Sequence, residues 1–308
     1  MKLTRQQALL LIALTLVWGI NWPVMKLGVT GYPPLSFRTL SMWLGLPVLA
    51  AALWWMKVPF KVPRAHWREL FVLAATNMFF WHACIIVAVQ SLSSGRSAIL
   101  GYTMPIFSAL IGAWVFGAVL SGRGWLGVGA AALGVLLLLW HEITAISGQP
   151  SAVLLALVAA ASWALGTQLL RRTTIPLPTL TLSFWMTAQA TVVMSVLAIL
   201  LEQPQWHWPA PVTWFSVIYN AVLVFGFAHA AWFTLARGLP PLASTLSVML
   251  IPVLGVFTGA WWLSEPLHWQ DWAAVSLMVV AIASVLWPAR AVALNSTSAS
   301  AEHKTPKA

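Results

Sequence analysis

Charge is what this sequence has least of. Only 7% of its 308 residues are Asp, Glu, Lys or Arg, against roughly a quarter in an ordinary soluble domain. A surface facing water cannot be built from so few charges when 60% of the residues are hydrophobic, so an ordinary soluble core is excluded. Cysteine is nearly missing as well. Cys84 stands alone, which excludes an internal disulfide and leaves a buried thiol in an apolar run. There is no Walker A motif, so ATP does not drive the protein directly. No His–Asp, Cys–His or paired-carboxylate set is present to serve as a nucleophile or acid–base pair. The reading is a protein that is not an enzyme and carries no cofactor. His82 and His229 have no further ligand at metal spacing, so no metal site is expected either.

What is there is apolar length. Ten stretches run 18 residues or more without Asp, Glu, Lys or Arg, from the one between Arg5 and Lys26 to the one between Asp271 and Arg290. A spanning helix needs about 20 mostly apolar residues. The runs are continuous rather than alternating, which predicts helices and not barrel strands. The expectation is an all-α membrane protein with ten transmembrane helices. The first run contains Asn21, Trp22 and Pro23 and lacks a small-residue cleavage site, so it reads as the first span and not as a cleaved leader. With the N-terminus inside the cell, 13 of the 16 basic residues fall on the cytoplasmic side, while Glu142, Glu202, Glu265 and Asp271 fall outside. This positive-inside pattern predicts both termini in the cytoplasm. The net charge of +10 then reports topology and contact with anionic lipid rather than a nucleic-acid partner. Residues 291–308 are small and polar and read as a disordered cytoplasmic tail.

The chain also echoes itself. Residues 105–114 read PIFSALIGAW and residues 252–261 read PVLGVFTGAW, with four of ten positions identical. At the same offset (252 − 105 = 147) Ser97 matches Ser244 and Trp125 matches Trp272. VWGINWPVMK at 17–26 faces SWALGTQLLR at 162–171, with Trp18 over Trp163. Two halves are expected, 1–145 and 146–290, each of five helices. Five is odd, so the second half enters the membrane inverted, and such repeats place a substrate site near the midplane between them. Gly255 and Gly259 lie four apart on one helix face, with Ser108 and Gly112 in the matching places. Small residues at this spacing let helix backbones approach closely in lipid. Pro105 and Pro252 free backbone carbonyls and can bend their helices. The fourth and ninth helices are therefore expected to pair beside the pseudo-twofold axis.

These residues carry a resemblance. VWGINWPVMK at 17–26, FRTL at 37–40, SSGRSAILGYTMPIFSALIGAW at 93–114 and PLASTLSVMLIPVLGVFTGAWWLSEPLHWQDW at 241–272 resemble the drug/metabolite transporter superfamily, in particular its ten-helix EamA-type exporters. The resemblance covers residues 5–290. It implies two inverted five-helix repeats, a bacterial inner-membrane location and export of small metabolites, with aromatic and other amino acids among the substrates. One departure stands out. The family pattern has a Glu after the fourth and after the ninth helix; Glu265 fills the second place, but Ala118 stands in the first. Glu265 itself reads as a helix-end or loop contact.

Polar groups inside a span need a reason. Candidate substrate contacts are Asn21 with Trp18 and Trp22 on the first span, Asn77, Trp81 and His82 on the third, and Tyr102 on the fourth. Trp163 and Gln168 on the sixth span, Trp185 on the seventh, and Asn220 and His229 on the eighth complete the set. Amides would hydrogen-bond a polar substrate and indoles would pack on an apolar or aromatic one; interhelical hydrogen bonding is the alternative for each amide. Other Trp residues, including Trp67, Trp206, Trp208, Trp269 and Trp287, suit a membrane-interface belt. Lys26 and Arg38 break the positive-inside rule at the outer mouth. They either meet a substrate carboxylate or snorkel to outer-leaflet phosphates.

No Asp or Glu lies mid-span, which argues against a carboxylate-based pump for cations. The expectation is a small-metabolite exporter for neutral or aromatic amino acids, working in the bacterial inner membrane as a monomer or weak homodimer. A proton-coupled exporter of drugs or other metabolites, with a His carrying the proton, is the alternative. A non-transport membrane assembly protein is the alternative of another class.

Overall fold

In an apolar solvent a chain must satisfy its own backbone, and the helix does so within one segment. The computed structural model of the chain describes residues 5–144, 148–238 and 241–286, and among these no residue is in a strand. The helices are α1 (Arg5–Thr30), α2 (Pro34–Trp55), α3 (Trp67–Ala74), α4 (Phe80–Ser91), α5 (Ser94–Gly101), α6 (Met104–Trp114) and α7 (Gly122–Thr144). They continue with α8 (Pro150–Arg172), α9 (Thr179–Glu202), α10 (Pro211–Tyr219), α11 (His229–Gly238), α12 (Pro241–Leu263) and α13 (Trp269–Leu286). π-helical turns at Ala75–Phe79 and Asn220–Ala228 fuse α3 to α4 and α10 to α11. Seven helical stretches among the described residues are long and apolar enough to cross a membrane, and 122–138, 250–263 and 269–284 are shorter apolar helices. The chain is a multi-pass membrane protein. The expected tail at 291–308 lies outside the described residues.

The helices pack in reciprocal pairs. α1 lies on α12 as α8 lies on α6; α4 lies on α8 as α10 lies on α1; α2 meets α9, α5 meets α12 and α7 meets α13. The close crossing of α5 and α12 depends on Gly255. A Cβ there would stand 2.6 Å from that of Ala98, and one at Gly259 only 2.2 Å from Ser94 Oγ. The first-half pair, Ser108 and Gly112, turns instead to α8, where Gln168 donates to the Ser108 carbonyl and hydroxyl at 3.0 and 2.8 Å. The two prolines also differ in effect. Pro252 stays inside continuous α12, whereas Pro105 sits in the first turn of α6 after a break at residues 102–103. In a first turn its missing N–H costs no helical bond.

The ends of the bundle differ in charge. One gathers Glu202, Glu265 and Asp271 around the starts of α2 and α5; the other gathers Lys57, Lys61, Arg64, Arg68 and Arg171. At the acidic end, Glu202 accepts from the Leu35 and Ser36 amides at 2.9 and 2.7 Å, and Glu265 accepts from the Ser94 amide and hydroxyl at 2.7 and 2.8 Å. Carboxylates belong at helix N-termini, where amides point outward and the dipole is positive. Glu265 is thus a helix-end contact, as expected.

Candidate functional site

On α1, Trp18, Asn21, Trp22 and Met25 follow a 3-and-4 spacing that puts them on one face. That face lines an interior cavity of about 40 Å³. The opposite walls are Trp81, His82 and Ile85 of α4, Trp163 of α8, Val224 of the second π segment and His229 of α11. Tyr102 and Met104 at the break before α6, and Arg38 of α2, complete it. Such a volume admits about three waters, so a metabolite requires the helices to part. The walls come from both matched parts of the chain.

The lining is aromatic, and most of its ring pairs meet edge-on. The Trp18 and Trp163 centroids are 6.4 Å apart, Trp81 and Trp163 5.3 Å, Trp22 and Tyr102 6.3 Å, and Trp18 and His229 5.9 Å. His82 and His229 meet at 5.2 Å, and Phe225 stacks on His229 at 5.1 Å. T-shaped contacts set each ring's positive edge against its neighbour's negative face. The Val224 carbonyl closes the π turn by accepting from the His229 amide and also accepts from His229 Nδ1 at 2.8 Å, which holds that imidazole in place.

The polar part is sparse. Arg38 is 1% exposed. Its Nη1 donates to Asn220 Oδ1 at 2.9 Å and its Nη2 to the Met25 thioether at 2.7 Å. Asn220 Nδ2 donates back to the Ser216 carbonyl at 3.0 Å. Among the described buried polar atoms without a protein partner are Arg38 Nε, Asn21 Oδ1 and both nitrogens of His82. Each is a cost in an apolar interior unless something arrives to pair with it. No group of three or more His, Cys, Asp or Glu that would hold a metal occurs among the described residues.

Of the sequence candidates, Trp18, Asn21, Trp22, Trp81, His82, Tyr102, Trp163 and His229 line the cavity. Asn220 stands one contact behind, through Arg38. Asn77 packs on α8, with its amide atoms 2.5 Å from where a Cβ on Gly166 would be. Gln168 ties α8 to α6, and Trp185 donates to the Phe60 carbonyl at 2.7 Å, facing Trp67 at 5.0 Å. These three lie outside the cavity lining. The two cations placed at the outer mouth part company. Lys26 directs its three N–H groups to the Val89, Gln90 and Leu92 carbonyls at 3.1, 2.9 and 2.8 Å, capping the end of α4. Arg38 is neither at a mouth nor snorkelling; it is one turn inside α2, in the cavity wall. A charge ahead of a charge-free run reads as a boundary, but the Pro33–Pro34 helix start lies four residues earlier. Met25, Ile85, Met104 and Val224 were missed because apolar liners look like any other core residue.

The comparisons agree with this picture. The chain aligns with YoaV of Bacillus subtilis, an uncharacterized transporter, at 25% identity, over 84% of this chain and 88% of that protein. It aligns with YedA of Escherichia coli, an uncharacterized inner membrane transporter, at 27% identity over 92% of each. A probable amino-acid metabolite efflux pump of Escherichia coli is 26% identical over 86% of this chain and 89% of that one. A crystal structure shares the fold at a TM-score of 0.68 and 21% identity, covering 91% of this chain and 97% of the other. The EamA-like transporter family matches twice, at residues 6–140 and 150–287, and the chain belongs to that family, as a membrane transporter of small molecules.

Proposed function

We propose that the protein exports small metabolites, neutral or aromatic amino acids foremost, across a bacterial inner membrane by alternating access. The carrying observation is the cavity: an indole-rich wall with a few unpartnered polar atoms, enclosed between helices drawn from 1–145 and from 146–290. In this reading those segments are two inverted halves of five spanning helices each, with both termini in the cytoplasm. The reciprocal helix pairing and the twofold family match support it. So does the basic end of the bundle, which suits the cytoplasmic face. The printed name of one relative, an amino-acid metabolite efflux pump, points to the substrate class. The transporter acts as a monomer or weak homodimer.

Counterflow in proteoliposomes tests this. Vesicles preloaded with Phe, Trp, Met, Leu or Thr should accumulate the labelled partner, with little dependence on a pH gradient. Exchange of a quaternary ammonium dye alone, or exchange only under a proton gradient, would replace this reading with a proton-coupled exporter and turn attention to His82 and His229.

A further inference from the structure

Arg38 is a fully buried cation for which the protein supplies no counter-charge among its described side chains. The four carboxylates whose side chains the structure describes are all committed elsewhere. Glu202 and Glu265 cap α2 and α5, Asp271 holds Arg96 Nε at 2.8 Å, and Glu69 accepts from Thr173. In place of an acid, Arg38 has one amide oxygen, one thioether and the rings of Phe37 and Phe225 at 5.8 and 5.6 Å, which are weak substitutes for an anion. Its Nε has no partner while the side chain lines the cavity. A buried guanidinium left in this state destabilises the protein that holds it, unless an anion completes it when the site is filled.

We propose that Arg38 is the anion-binding residue of the transport cavity, and that the ligand it selects is a monocarboxylate on an aromatic or branched apolar body. The carboxylate would take Nε, and the body would lie on the indole wall of Trp18, Trp81 and Trp163. The same charge balance speaks to an ammonium group on the ligand. The cavity lining holds no carboxylate to receive one, and Asn21 Oδ1 is a neutral acceptor. A monoanion cancels the charge of Arg38, whereas a zwitterion leaves the site with a net positive charge. The deaminated acid therefore binds at least as well as the amino acid, and the amine lacking the acid does not bind. This rests on the transport reading of the same cavity and sharpens its substrate class.

The test is thermal stabilisation of the purified full-length chain in detergent at fixed ionic strength. The ligands are 3-phenylpropionate, L-phenylalanine, L-phenylalaninamide, 2-phenylethylamine and acetate. The two phenyl carboxylates should stabilise, with 3-phenylpropionate at least equal to phenylalanine; the amide, the amine and acetate should not. Arg38→Met should weaken the response to both carboxylates by about tenfold or more, with Arg38→Lys in between. The ligand-free Arg38→Met protein should melt no lower than the wild type, because it has lost an uncompensated charge; a merely structural Arg38 would make it melt lower. Equal carboxylate binding by Arg38→Met, equal binding of the amine, or phenylalanine binding tenfold tighter than 3-phenylpropionate would each overturn the inference. Counterflow separates this from the reading beneath it. Phenylalanine exchange with an unchanged KM in Arg38→Met sinks the inference and leaves the transporter standing. Carboxylate binding without exchange of any substrate does the reverse.

Discussion

Two loops of this protein share a backbone and differ in one side chain. After α6 the Ala118 amide donates to the Gly112 carbonyl at 2.9 Å; after α12 the Glu265 amide donates to the Gly259 carbonyl at 3.5 Å. Each loop turns through a left-handed residue just before, Gly117 at φ 69° and Ser264 at φ 53°. All three positions are related by the offset of 147 residues that relates the two ten-mers. The second loop carries a carboxylate into the start of α5, and the first carries a methyl group. A shared turn therefore does not give both ends of the bundle the same closure: the acidic end is tied by Glu265, and the matching position at the basic end contributes no charge.

Giving the second loop the side chain of the first should cost the most stability. Glu265→Ala strips the partner from the Ser94 amide and hydroxyl and from the Gly95 amide at 3.3 Å. Hydrogen bonds to a charged acceptor contribute roughly 1.5–3 kcal/mol, and the partly buried setting reduces their sum. A loss of about 2–3 kcal/mol is expected, read as a lower unfolding midpoint in detergent. Glu265→Gln, which keeps one acceptor oxygen, should lose about half as much. Glu202→Ala is the parallel case, since Glu202 is 6% exposed and caps α2 through two amides and the Ser36 hydroxyl. An unchanged midpoint in both would mean that these carboxylates do not hold the acidic end.

The helical class was legible in the sequence because lipid leaves a chain few choices: uncharged runs of 18 residues or more have to become helices. The likeness of the two loops was legible too, since Gly112 and Gly259 stand at one offset. Facing was harder to read. Trp81 and Trp185 look alike in a uniformly apolar run, yet one lines the cavity and the other reaches the Phe60 carbonyl at the basic end. Asn77 and Asn220 make the same backward bond, to the Leu73 and Ser216 carbonyls at 3.0 Å. What separates them is Arg38, which reaches Asn220 from another helix, 182 positions away in sequence. Periodicity within one segment holds no record of such partners. The π turns under both asparagines carry no sequence signature of their own.

The next change works in the opposite direction. Ala118→Glu gives the first loop the carboxylate of the second. If the inverted repeat holds, that carboxylate meets the start of α12 as Glu265 meets α5. A helix N-terminus is stabilised by an anion to the extent of about 0.3–1 kcal/mol. The expected result is a stability gain of up to about 1 kcal/mol, read as a higher unfolding midpoint, together with slower counterflow, since both ends are then tied. A lower midpoint with normal counterflow would show that the first loop faces no helix start and that the repeat fails at this point.

The smallest change tests the shared backbone itself. Only glycine adopts a left-handed φ without steric cost, because other residues bring Cβ against the following carbonyl. Gly117 already has that freedom, and Ser264 holds nearly the same angle without it. Gly117→Ser should therefore cost about 1 kcal/mol and Ser264→Gly should add about 0.5 kcal/mol, the gain being the smaller because glycine also widens the unfolded ensemble. Opposite signs at the two positions, read as shifts of the unfolding midpoint, are what one common turn requires. Equal signs would mean that the two loops reach their closing hydrogen bonds by different backbones, and that Ala118 and Glu265 are not equivalent positions.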